Sequence, residues 1–306
     1  MPLLSRRAFG LAFAGSALAQ DNSETGLTFR SDTREVLLHA TVVDRTGAFV
    51  TDLPRDAFKI IEDGVEQKIR VFRREDVPVS MGLIVDNSGS MRRKRKKVED
   101  SAVALVKASN RQDEIFIVNF NDVPYRDADL TSDVKKLEEG LSRIDAKGGT
   151  AMRDAVTLSM DYLLAKGKRA KKVLLLVTDG DDTASSDSNT LEKLLAKAQR
   201  SEVLIFAIGI LNEEDRRSAK KAQRAMELLT KQSGGIAHFP KDVESVEEVA
   251  LQIAKEIRSQ YIIAYSPTKP DDGAYRQLKV TVKGSGLTVR TRSGYYAKGD
   301  DKRSSL

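Results

Sequence analysis

VDNSGSMRRKRKK, residues 85–97, is the stretch on which the reading of this chain turns. Asp86, Ser88 and Ser90 stand at alternate positions, and six cationic side chains, Arg92 to Lys97, follow almost at once. The seven residues before Asp86, VSMGLIV, form a nearly continuous apolar run, as expected of a parallel strand covered on both faces. An acid-and-hydroxyl loop at the carboxyl end of such a strand lies where open α/β sheets bind their ligands.

Outward from this stretch, residues 79–259 alternate strand and helix patterns. Strands are expected at 79–86, 114–120, 172–179, 203–210 and 236–239, again as apolar runs. Between them, Val98, Ala102, Leu105 and Val106 make one helical stripe, and Leu191, Leu194, Leu195 and Ala198 a second. Val246, Val249, Ile253 and Ile257 make the last, and SGG at 233–235 reads as a helix stop. The fold class is α/β, a doubly wound, mostly parallel, Rossmann-like sheet with helices on both faces. The flanks read as β. Val36, Leu38, Ala40 and Val42 alternate, residues 57–72 suggest a hairpin around Asp63-Gly64, and after residue 260 Leu278, Val280, Val282, Leu287 and Val289 alternate. Segments 20–78 and 260–298 are each marginal as sheets, so they are expected to pack as one small β-sandwich-like domain with 79–259 inserted between them.

Residues 1–19 read as an export signal. Arg6 and Arg7 precede a short apolar run, and ALA at 17–19 is an A-x-A cleavage site. SRRAFGL resembles a twin-arginine signal, although Gly10 and Leu11 depart from its usual residues and leave ordinary Sec export open. The apolar run is too short for a stable membrane span, so the mature chain is expected without a transmembrane anchor, exported to the periplasm or outside. A polar tail follows at 299–306. The chain has 306 residues, 40% of them hydrophobic and 31% charged, a globular composition. It contains no Cys, which excludes disulfides, thiolate metal sites and cysteine nucleophiles. A net charge of +6 is mild, and the asymmetry is local to 92–97.

Three polar loops fall at the carboxyl ends of the strands: DNSGS with Asp86, Ser88 and Ser90, KGGTAMRDA with Thr150, and TDGDDT with Asp179. Two carboxylates and three hydroxyls form a hard, all-oxygen set suited to Mg²⁺ rather than zinc or copper, with Mn²⁺ or Ca²⁺ as other occupants. Read one at a time, each side chain could equally be a helix cap. Together and in this order they resemble the metal-ion-dependent adhesion site of von Willebrand factor A (VWA) domains, and the flanks resemble bacterial exported VWFA-related proteins. The resemblance implies Ser88, Ser90 and Thr150 as direct metal ligands, with Asp86 and Asp179 direct or through water. It also implies a coordination position left for a partner's Asp or Glu, and a binding device rather than a catalyst.

The basic run is expected in the first two turns of the helix after this loop, against the helix dipole. It is either a solvated helix start or a positive collar, with Arg92 and Arg93 facing an anionic partner. Asn121 and Asp122 either support the metal loops or contact a partner, Asp181 is a further candidate partner contact, and Asp181 and Asp182 form an acidic rim. Three functions follow: a metal-dependent module binding an acidic protein ligand, a binder of acidic glycan or phospholipid headgroups through 92–97, and a metal hydrolase. No nucleic acid is expected, given export and no Trp. His39 and His238, the only histidines, read as structural, which leaves a hydrolase without an evident base.

Overall fold

The computed structural model describes residues 35–74, 76–142 and 146–298. The expected export signal, the start of the first β segment and the polar tail lie outside the described residues. Four strands come first: β1 (Val36–Val43), β2 (Phe58–Glu62), β3 (Val65–Gln67) and β4 (Ile69–Arg73). Then come β5 (Val79–Asp86), α1 (Arg95–Ala108), β6 (Glu114–Phe120), β7 (Pro124–Thr131), α2 (Val134–Ser142) and α3 (Met152–Lys166). They are followed by β8 (Lys171–Thr178), α4 (Leu191–Arg200), β9 (Val203–Gly209), α5 (Arg216–Ser233), β10 (Ala237–His238) and α6 (Val246–Arg258). The last strands are β11 (Tyr261–Tyr265), β12 (Tyr275–Val282), β13 (Thr288–Arg290) and β14 (Gly294–Tyr296).

Six strands form the central sheet in the order β10-β9-β8-β5-β6-β7, all parallel except β7. Every residue of β5 is buried because each face of the sheet carries helices. Val79, Met81, Leu83 and Val85 point into one apolar layer with the stripes of α1, α2 and α6. Ile84, Phe116, Val118 and Leu174 point into the other, with α3, α4 and α5. The period-two alternation of a strand thus feeds two cores at once. At Gly234 the backbone turns left-handed (φ 96°) and ends α5, as SGG suggested.

The flanking strands form two four-stranded sheets, β13-β1-β11-β4 and β14-β12-β2-β3, around a shared apolar core. Early and late segments pair directly: Val36–Ala40 runs antiparallel to Tyr261–Tyr265, and Phe58–Glu62 to Leu278–Val282. Asp63 and Gly64, at φ 47° and 85°, make the two-residue turn between β2 and β3. At the core of these sheets Glu62 accepts hydrogen bonds from the hydroxyls of Tyr295 and Tyr265. Glu256 of α6 ties the two parts together, accepting from Thr41 Oγ1 at 2.9 Å and from Arg290 at 2.7 Å. His39 is buried within β1, and burial pushes its pKa down to about 3, which keeps it neutral and structural.

Two elements lay outside the sequence reading. Edge strand β7 is half-exposed and irregularly registered against β6, so it carries no clean alternation. Helix α2 follows it with only Leu137, Gly140 and Leu141 buried. The loop after β5 also differs from expectation: a 3₁₀ turn, Gly89–Arg93, precedes α1, which begins only at Arg95.

Gly82 of β5 is closely enclosed: an added methyl would sit 2.4 Å from the Phe116 ring and 2.6 Å from Leu174. Gly82→Ala is expected to destabilise the protein by roughly 1–3 kcal/mol through overpacking. A denaturant midpoint unchanged from wild type would contradict this packing.

Candidate metal centre

Asp86 ends β5 beside Thr178, the last residue of β8, because the two strands are in parallel register. Its carboxylate is fully buried and held at both oxygens. Oδ1 accepts from Ser88 N at 2.8 Å, and Oδ2 from Thr178 Oγ1 at 2.6 Å. The turn of the chain then brings Ser88 Oγ and Ser90 Oγ within 3.1 Å of each other, and Ser90 Oγ donates to Asp179 Oδ1 at 2.8 Å. Loop joins loop through the backbone: Gly89 N donates to Gly148 O, and Lys147 N to Asn87 O. Thr150 is thereby carried beside the first loop, itself buried, with its carbonyl accepting from Thr183 and Ala184 of the third. Ser90 alone of the five expected ligands is exposed, so it marks the open side.

Beneath the loops lies a polar node that sequence reasoning missed. Arg95 is 1% exposed, donating from Nε to Asn87 Oδ1 and from Nη2 to Asn119 Oδ1 and Leu141 O. Asn119 in turn donates to Asp127 and to Gly140 O. Lys94 is also buried, its ammonium donating to Asp179 Oδ2 at 2.8 Å. The expected solvated helix start is therefore corrected. The 3₁₀ turn rotates these two side chains inward, where carboxylate and carbonyl groups compensate them, while Arg92, Arg93 and Lys96 stay exposed. Lys94 lies one turn beyond Ser90, a spacing that could have marked it.

The candidate partner contacts separate. Asp122 is exposed but accepts from Gly149 N at 2.7 Å, bracing the Thr150 loop. Asn121 is buried, and its backbone carbonyl accepts from Ala151 N, which fits the supporting alternative rather than a partner contact. Asp181 is at the rim, paired with Lys221 at 2.6 Å. Asp182, expected beside it, turns inward to accept from Arg153 N at the start of α3, where a carboxylate meets the helix dipole favourably.

Charge explains what this arrangement suits. Burial pushes the Asp86 carboxyl up to about 6, against the hydrogen bonds from Thr178 and Ser88, and the charge on Asp179 adds to the rise. Glu214 is also raised, first by its own burial and then by Asp179. A cation bound between them would relieve this repulsion. An octahedral Mg²⁺ with ligands at about 2.1 Å sets neighbouring oxygens about 3.0 Å apart. The Ser88–Ser90 and Ser90–Asp179 separations, 3.1 and 2.8 Å, match that spacing. Among the described residues no group of three or more His, Cys, Asp and Glu is placed to hold a metal ion, and the candidate donor set here is three hydroxyls and two carboxylates.

Because the folded protein holds a proton on Asp86 more tightly than the unfolded chain, this carboxylate costs stability above a pH of about 6. The cost is about 3 kcal/mol and fades as pH falls towards 3.8. In EDTA at neutral pH, Asp86→Asn is expected to raise the melting temperature by a few degrees, the gain shrinking as the buffer is acidified. A lower melting temperature at neutral pH would contradict this.

Comparisons with known proteins agree on the central unit. The chain is 36% identical over 88 residues to human integrin alpha-11, and 35% identical to the mouse protein. That stretch is 28% of this chain and 7% of the human integrin, so the likeness concerns one domain of a much longer protein. A von Willebrand factor type A structure from Catenulispora acidiphila superposes with a TM-score of 0.52 at 14% identity, covering 90% of this chain and 76% of that one. Proximal thread matrix protein 1 from the mussel byssus, solved with a zinc-occupied MIDAS motif, gives 0.51 at 13% identity over 65% of this chain and 50% of that one. At such identities the two structures speak for the fold alone. Residues 81–181 match the family model described as von Willebrand factor type A domain, and the six-stranded unit has the fold of that domain.

Proposed function

We propose that this protein is an exported, non-enzymatic binding module that takes an acidic side chain of a protein partner through a divalent cation of the Mg²⁺ type. The observation that carries the reading is the convergence of Ser88, Ser90 and Asp179 oxygens at hydrogen-bond spacing on a loop whose Ser90 is exposed. Asp86, Ser88, Ser90, Thr150 and Asp179 would hold the ion. When bound, it supplies a Lewis-acidic centre that accepts one more anionic oxygen at short range. The chain's own part is to hold that centre rigid. Asp86 is fixed by Thr178 and Ser88, the loops are laced by backbone hydrogen bonds, and Arg95 fills the space beneath. Neither histidine belongs to this loop cluster: His39 lies in β1 and His238 in the two-residue strand β10. No described helix is long and apolar enough to cross a membrane.

The rival reading, a binder of anionic polymer through 92–97, loses much of its carrier. Lys94 and Arg95 are buried, Lys96 pairs with Asp100 at 2.6 Å, and Lys97 with Glu244 at 3.0 Å. That leaves Arg92 and Arg93, both exposed, and Arg92 donates to Ala146 O. Exposed charges of this kind alter association rates more than affinity.

Wild-type and Asp86→Ala proteins should be presented to a cell-envelope extract, each with Mg²⁺ and with EDTA. A partner retained only by wild type with Mg²⁺ is the expected result. Identical retention in all four lanes would sink the reading, and binding that survives EDTA but falls steeply with salt would favour the polymer.

A further inference from the structure

The two oxygens of Asp179 are divided between two kinds of partner. Oδ1 accepts from Ser90 Oγ on the open side, and Oδ2 accepts from the Lys94 ammonium on the inner side, each at 2.8 Å. Lys94 is fixed at the junction of the 3₁₀ turn and α1: its N–H donates to Met91 O at 2.9 Å, and its carbonyl accepts from Val98 N at 3.1 Å. The side chain is 5% exposed and that of Asp179 1%, so water screens the pair little. A cation this close to a candidate metal ligand is not needed to anchor the loop, which Thr178, Ser88 and the Gly89–Gly148 hydrogen bond already hold.

We propose that Lys94 is a built-in counter-cation of the metal site, sharing Asp179 with the divalent ion. It lowers the site's affinity for metal and makes the bound metal a more positive centre for an incoming carboxylate. The inference rests on the metal-site reading above and concerns how that site is tuned. Its physical basis is a difference of one unit charge. With Lys94 present, part of the Asp179 charge is spent on the ammonium, so less remains to hold the metal or to repel an acidic ligand. The other charged groups coupled to Asp179 are acidic: Asp86 and Glu214 oppose Lys94, while Asp181 is paired with Lys221. Among the described residues Lys94 is the cation that makes an ion pair with the Asp179 carboxylate, which makes it the lever.

The test titrates Mn²⁺ alone into wild type, Lys94→Gln, Lys94→Met and Lys94→Arg by calorimetry, with circular dichroism as the check on folding. Both neutral variants are expected to bind Mn²⁺ at least about tenfold more tightly than wild type, the effect that one unit charge has on a nearby divalent ion even under full solvent screening, which this buried pair does not have. Lys94→Arg should stay near wild type. A second readout uses acetate on the Mn²⁺-loaded proteins, followed by water-proton relaxation. Acetate should displace bound water at lower concentration in wild type than in Lys94→Gln. If wild type binds Mn²⁺ and a folded neutral variant binds it equally or more weakly, the role of Lys94 is overturned while the metal site stands. If neither wild type nor the neutral variants bind Mn²⁺, the metal-site reading falls and takes this inference with it. The two neutral variants differ in shape, so misfolding of one leaves the other to decide.

Discussion

Two carboxylates buried side by side at the ends of adjacent strands are the constraint around which this molecule is arranged. Asp86 closes β5 and Asp179 follows β8, and both are at most 1% exposed. Taking a carboxylate out of water is unfavourable, and burial first, with the Asp179 charge as a lesser addition, raises the Asp86 pKa. The surroundings answer it one oxygen at a time. Thr178 and Ser88 donate to Asp86, and Ser90 and Lys94 donate to Asp179. The hydroxyls that blunt the repulsion are also hard donors, so a device that makes the acids tolerable doubles as a seat for a divalent cation.

The scaffold exists to keep those strand ends adjacent. β5 is buried on both faces, and its two apolar layers fix its register against β6 and β8 within the sheet. Arg95 performs the matching task for the loops, its guanidinium bridging Asn87 of the first loop, Asn119 of β6 and the end of α2. A buried charge of this sort stabilises little by itself, and removing one partner leaves the others uncompensated. Such a node makes the loop geometry an all-or-none property. The antiparallel sheets meet the α/β unit at α6 through Glu256, and at the ends of α4 and α5, where Arg292 donates to Gln199 O and Ser293 to Gln232, rather than at the strand ends that carry the site.

Much of this was legible in the sequence because the signals were local. Nearly continuous apolar runs marked β5, β6, β8 and β9, and the spacing of Asp86, Ser88 and Ser90 marked the loop. What escaped depended on register or on three-dimensional neighbours. Thr178 is the residue before a marked carboxylate, yet its role follows only from its placement opposite Asp86. Edge strand β7 has water on much of its surface, so neither period of burial shows in it. The basic run misled most. Six cations in a row suggested either a solvated helix start or a positive collar, and a 3₁₀ turn before α1 set the rotation. Lys94 and Arg95 went inward to Asp179 and to Asn87, Asn119 and Leu141, which lie far from them in sequence or behind a turn. Asn121 and Asp182 similarly spend their polar groups on neighbouring loops and on the start of α3.

The central claim is that the three loops form one divalent-cation site, and location is its most direct test. Crystals soaked in Mn²⁺ and measured for anomalous scattering should show a single strong peak enclosed by Asp86, Ser88, Ser90, Thr150 and Asp179, absent from the Asp86→Ala protein. An ordered crystal with no peak there, or with its peak elsewhere on the molecule, would contradict the account.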